Sequence, residues 1–194
     1  MNKISYALGL SIGNNFLNAG IKELDTKDFL KGMADIFSGN ETEISYDEAK
    51  TVINDYFAKL QVQKNEINRQ AGEEFIRINR KKKSVTELPS GLQYEILKSG
   101  SGARPKLSDR IKCHYHGTLI NGAVFDSSVQ RGEPATFGVS QVISGWTEAL
   151  QLMPTGSKWR LFVPSHLAYG ESGAGNQIEP NSTLVFEVEL LDII

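Results

Sequence analysis

The chain has 194 residues, of which 40% are hydrophobic and 23% charged, an ordinary globular composition that suits one large domain or two small ones. A net charge of −2 and a pI near 6.0 argue against a dedicated binder of nucleic acid or of an anionic membrane, because either would need a basic excess. With Cys113 as the one cysteine, an internal disulfide is excluded.

Ile4, Leu8, Ile12 and Phe16 recur every four residues and predict a first helix over 3–18. Ser5, Gly9, Ser11 and Gly13 interrupt its apolar run and no small-residue cleavage site follows, so the segment does not read as a signal peptide. No stretch approaches the roughly eighteen apolar residues of a membrane span. The expected compartment is the cytoplasm, with the periplasm or cell surface in its place if a leader was removed. A second helix follows Asp25-Thr26, where either side chain can cap, with Phe29, Leu30, Met33, Ile36 and Phe37 as its apolar positions and Gly39-Asn40 as its end.

Ser45 and Glu48 have the spacing of a capping box, and from Tyr46 to Lys83 neither proline nor a turn cluster intervenes. A helix over 46–83 would be roughly 55 Å long. Its first half carries Val52, Ile53, Tyr56, Phe57 and Leu60; its second keeps only a thin stripe of Ile67, Ala71, Phe75 and Ile78, as in a solvent-bridging arm. Below about 80 residues a core without disulfides is marginal. Residues 1–83 are therefore expected to be a helical dimerisation domain completed by a second copy, with the G-x-x-x-G face of Gly9 and Gly13 as a candidate contact. Arg77, Arg80, Lys81, Lys82 and Lys83 read as solvated cations near a helix C-terminus. Residues 84–90, with Pro89, read as a linker.

From Gly91 the period changes to that of strands. Leu92, Tyr94 and Ile96 alternate, as do Ile111, Cys113 and Tyr115 against Lys112, His114 and His116. Asn121-Gly122 and Arg131-Gly132-Glu133-Pro134 mark turns, and Leu184, Phe186, Val188 and Leu190 share one face of a last strand over 183–191. One short helix enters through Val142-Ile143-Ser144-Gly145-Trp146 and closes before Pro154 and Gly156. The expected fold is α+β: an all-helical N-terminal part, then over 91–194 an antiparallel sheet packed on a short helix.

His114 and His116 share a strand face, yet beyond Cys113 and His166 no further ligands are in view, so no metal is expected and the two read as a solvated face. Cys113 points the other way, into the core, as an inert thiol. Gly170-Glu171-Ser172-Gly173-Ala174-Gly175 has the glycines of a phosphate loop without its Lys-Ser/Thr, and reads as a rim loop. No G-x-S-x-G elbow exists. What remains is an apolar and aromatic set with one acid: Tyr115, Phe125, Asp126, Phe137, Val142, Ile143, Trp146, Tyr169 and Phe186. Taken singly, each is explained by the core, and spacing does not show that they converge.

Together, His114-Tyr115-His116-Gly117, Val124-Phe125-Asp126-Ser127-Ser128, Val142-Ile143-Ser144-Gly145-Trp146, Leu167-Ala168-Tyr169-Gly170 and Thr183-Leu184-Val185-Phe186 resemble the FKBP-type peptidyl-prolyl cis-trans isomerases. The helical first half is similar to the bacterial dimeric subgroup that includes the macrophage infectivity potentiators. The resemblance implies a sheet half-wrapped around a short helix, rotation of Xaa-Pro bonds in unfolded or partly folded polypeptides, no cofactor, and a homodimer joined through the N-terminal helices. It makes Trp146 the floor under the proline ring, with Tyr115, Phe125, Phe137, Val142 and Phe186 as walls. The Ile143 N–H and Tyr169 hydroxyl would hold substrate carbonyls. Asp126 would be a buried carboxylate bonded to Tyr115 and Arg131, either presented to the twisting carbonyl or simply an ion pair that shapes its loop. A macrolide of the tacrolimus or rapamycin type is the implied inhibitor. Ala135 and Ala174 stand where the best-known single-domain members have an aromatic and a histidine, which puts macrolide affinity in question and implies a wider pocket. The other reading is a holdase chaperone that uses pocket and inter-arm cleft for recognition alone.

Overall fold

Side-chain caps mark out the helices. In the computed structural model, which describes every residue from Met1 to Ile194, the Asn2 side chain accepts the backbone N–H groups of Ile4 and Ser5 and starts α1 (Lys3–Asn18). Asp25 does the same for Lys27 and Asp28 at α2 (Thr26–Ser38), which Gly39 ends in the left-handed conformation at φ 67°. The Glu48 N–H donates to Ser45 Oγ over 3.1 Å at the start of α3 (Tyr46–Asn79). Helix α3 stops four residues short of the expected Lys83: Lys81 N–H bonds the Ile78 carbonyl and Lys82 N–H that of Asn79, so the last turn tightens and the chain leaves the axis.

The chain forms two compact units, Met1–Gln61 and Val62–Ile194. In the first, Phe16 and Phe29 meet edge to face with centroids 5.5 Å apart. Neither α1 nor α2 buries a single residue, and Leu8, Leu10, Leu17, Leu30 and Phe37 are all exposed.

The second unit includes the last turns of α3. Ile76 and Asn79 are buried, the Phe75 ring lies 5.9 Å from that of Phe162, and Asn79 Nδ2 donates to Gln93 Oε1 over 2.9 Å. Gln93 Nε2 in turn donates to the Ile76 carbonyl and to Glu87. The stretch 84–90, read from sequence as a linker, is part of the sheet: Val85–Glu87 form β1 and pair with β2 (Gln93–Lys98). Three residues ahead of a proline carry too little periodicity to announce a strand; pairing with β2 supplies what the pattern lacks.

Beyond β2 come β3 (Arg110–Leu119), β4 (Val124–Ser127), the one-turn α4 (Ser128–Arg131), β5 (Ala135–Gly138), α5 (Ser144–Leu152), β6 (Lys158–Val163) and β7 (Leu184–Ile193). The order is β1-β2-β6-β7-β3-β4, with β5 on β3, and all pairs are antiparallel. On β3 the buried residues are Ile111, Cys113, Tyr115 and Gly117, and on β7 Leu184, Phe186, Val188 and Leu190, as the alternation requires. Gly145, Trp146, Ala149 and Leu150 of α5 close this core from the other side. The opposite sheet face is held by charge, with Arg160 reaching Glu95 and Glu187 and Lys158 reaching Glu187. An α+β architecture with a short helix on an antiparallel sheet is thus what the chain adopts.

Candidate active site

Trp146 stands at the third residue of its helix because the backbone before it can come close to β6. A Cβ at Gly145 would lie 2.6 Å from Val163 Cγ1, so only glycine lets α5 settle at this depth. The indole is then 4% exposed and ringed by three aromatics, all nearly perpendicular to it. Their centroids stand at 5.6 Å for Tyr115, 6.0 Å for Phe137 and 5.3 Å for Phe186, the edge-to-face arrangement aromatic quadrupoles favour. Trp146 Nε1 is buried without a hydrogen-bond partner.

Phe125 meets Phe186 in the same way at 5.5 Å. Gly117 of β3 makes room for it, since a Cβ there would lie 2.7 Å from the Phe125 ring. The result is a cavity of about 690 Å³ with Trp146 at its base.

The one acid of the cavity is fixed from two sides. Tyr115 Oη donates to Asp126 Oδ2 and Arg131 Nη1 to Oδ1, while Arg131 Nη2 donates to Tyr115 Oη over 2.9 Å. Burial works against charge on Asp126, but the hydrogen bonds from Tyr115 and Arg131 outweigh it and hold the carboxyl below the usual carboxylate range. Burial, aided by the Asp126 charge, raises the Tyr115 phenol, which therefore stays protonated as donor. Helix α4 delivers Arg131: Ser127 Oγ caps it by accepting the Gln130 N–H, and Gly132 ends it at φ 77°. The expected buried carboxylate is a correction, because the Asp126 side chain keeps 43% exposure at the cavity mouth.

Tyr115, Phe125, Asp126, Phe137, Val142, Ile143, Trp146, Tyr169 and Phe186 all line this cavity. Arg131 does not, because its guanidinium is turned to Asp126 and Tyr115. Ala174 is in the lining; Ala135 packs against the core instead. The sequence reading missed Gln141, Gln177 and Ile178. Ile178 was detectable as the lone large apolar residue among Asn176, Gln177, Glu179 and Pro180, and it is 8% exposed.

His114 and His116 also depart from a simply solvated face. Both are half-buried, with Nδ1 of His114 3.1 Å from Ser128 Oγ and Nδ1 of His116 2.9 Å from Ser127 Oγ. They brace the corner between β4 and α4. Cys113, fully buried, has its thiol pushed up to about 12 by desolvation, so it is no nucleophile at neutral pH.

Residues 102–191 match the family described as FKBP-type peptidyl-prolyl cis-trans isomerase, and residues 1–96 match the domain amino terminal to that isomerase. The chain is 45% identical over 99% of its length to an outer membrane protein MIP of Legionella longbeachae, 85% of which is covered. It is 44% identical over 98% of its length to an FKBP-type 22 kDa peptidyl-prolyl cis-trans isomerase of Escherichia coli, 94% of which is covered. Among solved structures it is similar to FkpA from Escherichia coli, with a TM-score of 0.79 at 36% identity, covering 98% of this chain and 95% of that one.

Proposed function

This chain belongs to the FKBP-type peptidyl-prolyl cis-trans isomerases and is an enzyme of that activity, and we propose that it turns the Xaa-Pro bond in the cavity above Trp146. The supporting observation is the aromatic box itself: an indole floor met edge-on by Tyr115, Phe137 and Phe186.

Resonance sets a barrier of about 18 to 20 kcal/mol, and the uncatalysed turn takes tens to hundreds of seconds. Only interactions that favour the twisted amide over the planar one lower that barrier, each ~1.4 kcal/mol giving a factor of ten. The planar amide has the larger dipole and loses more on entering an aromatic-walled cavity, so the twisted form is relatively favoured. In the twisted form nitrogen no longer feeds the carbonyl carbon, whose positive charge then faces the Asp126 carboxylate. Tyr115 and Arg131 keep that carboxylate ionised and aimed. Ile143 and Tyr169 both belong to the lining; in the proposal the backbone N–H of the first and the hydroxyl of the second take the carbonyls on either side, and Phe125, Phe137 and Val142 enclose the ring. The reaction makes and breaks no covalent bond, so binding and shape supply all of the catalysis.

The substrates we assign are proline-containing unfolded or partly folded polypeptides, with a tacrolimus- or rapamycin-type macrolide as a competitor for the same walls. We further assign the first unit to homodimerisation. Helices α1 and α2 hold no fully buried residue within one chain, and the exposed side chains of Leu8, Leu10, Leu17, Leu30 and Phe37 are an unfavourable surface to leave in water. A monomer by sedimentation at micromolar concentration would overturn this assignment. Of the division expected from sequence, dimerisation through the N-terminal helices and catalysis over 91–194 are retained as part of the proposal, while 84–90 go with the sheet through β1. Cytoplasmic location is retained with it; one relative carries the name outer membrane protein, and cell fractionation decides. No helix of the chain is long and apolar enough to cross a membrane.

The direct test is protease-coupled isomerisation of a short Xaa-Leu-Pro-Phe peptide. Trp146→Leu is expected to abolish most turnover, and full turnover in that variant would remove the cavity from the mechanism.

A further inference from the structure

The rim of the cavity is tied to a helix outside it. The segment 170–182 supplies Ala174, Gln177 and Ile178 to the lining, follows directly on Tyr169, and is folded on itself by one bridge: Ala174 N–H to the Ile178 carbonyl over 2.8 Å and Ile178 N–H to that of Ala174 over 3.1 Å. Its two ends meet where the Asn181 N–H donates to the Gly170 carbonyl over 2.8 Å. Asn181 holds a left-handed backbone at φ 59°, the only such residue other than glycine. These bonds close the segment on itself and do not keep it from drifting as a unit.

The second half of α3 does. Asn68 Nδ2 donates to the Pro180 carbonyl over 3.1 Å and to Glu179 Oε2 over 3.2 Å. Lys64 Nζ lies 3.5 Å from Glu179 Oε1, and Asn181 Nδ2 reaches the Asn65 carbonyl at 3.5 Å. Just beyond, α3 approaches so closely that a Cβ on Gly72 would collide with the Thr183 hydroxyl. Three successive residues of the segment, Glu179 to Asn181, are therefore bonded to one helical face, and the helix is itself anchored through Phe75 on Phe162 and Asn79 on Gln93.

We propose that Asn68 is a positioning residue for the isomerase. It touches no cavity surface; it sets, through the Pro180 carbonyl, where Ile178 and Tyr169 stand relative to Trp146. A part-buried carbonyl that loses its donor must move to find water, and the segment it belongs to carries one wall of the site. The effect falls on substrate capture, because Trp146 and Asp126 are held by β3, β4 and α5 and not by this segment. The inference rests on the assignment of the cavity to the proline substrate.

The test uses the full chain. Asn68→Asp keeps the size of the side chain but cannot donate to the Pro180 carbonyl and repels Glu179. It is expected to raise KM for the Xaa-Leu-Pro-Phe peptide about fivefold or more, with kcat within about twofold, and to speed amide exchange at Ala174, Ile178 and Asn181 at least tenfold while β3 and β7 keep their protection. Asn68→Gln, which keeps the donor, is expected to recover part of the KM. Arg69→Ala, one residue along and paired only with Glu66 and Glu73, should leave both constants alone. Parent KM with parent exchange at Ile178 in Asn68→Asp would overturn the proposal. So would a uniform loss of kcat and of melting temperature without selective exchange in the segment, which would make Asn68 a stability contact. Full turnover in Trp146→Leu would instead sink the assignment of the cavity, leaving the exchange result to stand.

Discussion

The indole of Trp146 meets the Phe186 ring edge-on, with centroids 5.3 Å apart and planes at 83°. That contact joins α5 to β7 across the floor of the cavity, while the only other tryptophan, Trp159, stacks on Tyr94 at 4.3 Å and lines no part of it. A ligand seated in the cavity is therefore expected to change the emission of one tryptophan only. Titration with a proline peptide or a macrolide should give a fluorescence change that survives Trp159→Phe and disappears in Trp146→Phe. A change that follows Trp159 would place binding elsewhere.

Asp126→Asn removes the charge while keeping the shape. It is expected to lower kcat/KM by about tenfold, a differential of ~1.4 kcal/mol, with the fold intact by circular dichroism. Because Tyr115 and Arg131 hold this carboxyl below its ordinary range, the charged form persists as pH falls through the usual carboxylate region. Its contribution to the folded state is present above the unfolded value near pH 4 and is lost only as pH falls through the lower, folded value. Parent activity, read by a protease-free assay, should thus be flat from pH 7 to about pH 5 as far as this group is concerned. An acid limb centred near pH 6 in the parent and absent from Asp126→Asn would contradict it.

Gly145→Ala tests the seating of α5. The added Cβ meets Val163 Cγ1 and the Leu167 carbonyl, and neither is the free end of a flexible chain. The expected cost is about 1 to 3 kcal/mol of stability, measured by urea denaturation, together with a loss of turnover as the indole is lifted off its floor. The same substitution at Gly9, where a Cβ meets nothing within 4 Å in one chain, should stabilise α1 slightly if that face is open to solvent. If the face is a dimer contact, it should weaken association in sedimentation.

Shortening the chain separates the two readings of where the catalytic unit begins. A fragment from Val62 keeps Phe75, Ile76 and Asn79 on the sheet, whereas one from Lys83 discards them. Removing two large apolar side chains from the packed surface is expected to cost about 3 kcal/mol or more. The shorter fragment should melt well below the longer one and show the higher KM.

Period made the strands and the short helix that carry the cavity legible, while the resemblance to the isomerase family, and not spacing, singled out the residues that meet in it. Ile111, Cys113 and Tyr115 alternate with polar neighbours, and β3 buries those three. Gly145 beside Trp146 permits a close approach, which Val163 provides. What the pattern did not carry was anything that depends on partners far along the chain. Val85–Glu87 become a strand only because β2 is there to pair with them, whereas Arg131 on Asp126 and Tyr115 is the arrangement that the resemblance implied. Asn68 was invisible for the same reason: it is one polar residue on a polar helix, and its partners Glu179 and Pro180 lie more than a hundred positions away.

Strand β7 sits between β6 and β3. Until residues 184–193 exist, β3 has only the short β4 and β5 for company and β6 has only β2, so neither Tyr115 nor Trp146 has a finished wall to lean on. A ribosome making this chain would emit most of the catalytic unit before any of it could close, leaving apolar strands waiting on one late segment. An enzyme of peptidyl-prolyl rotation must itself pass through an interval when its own chain lies open.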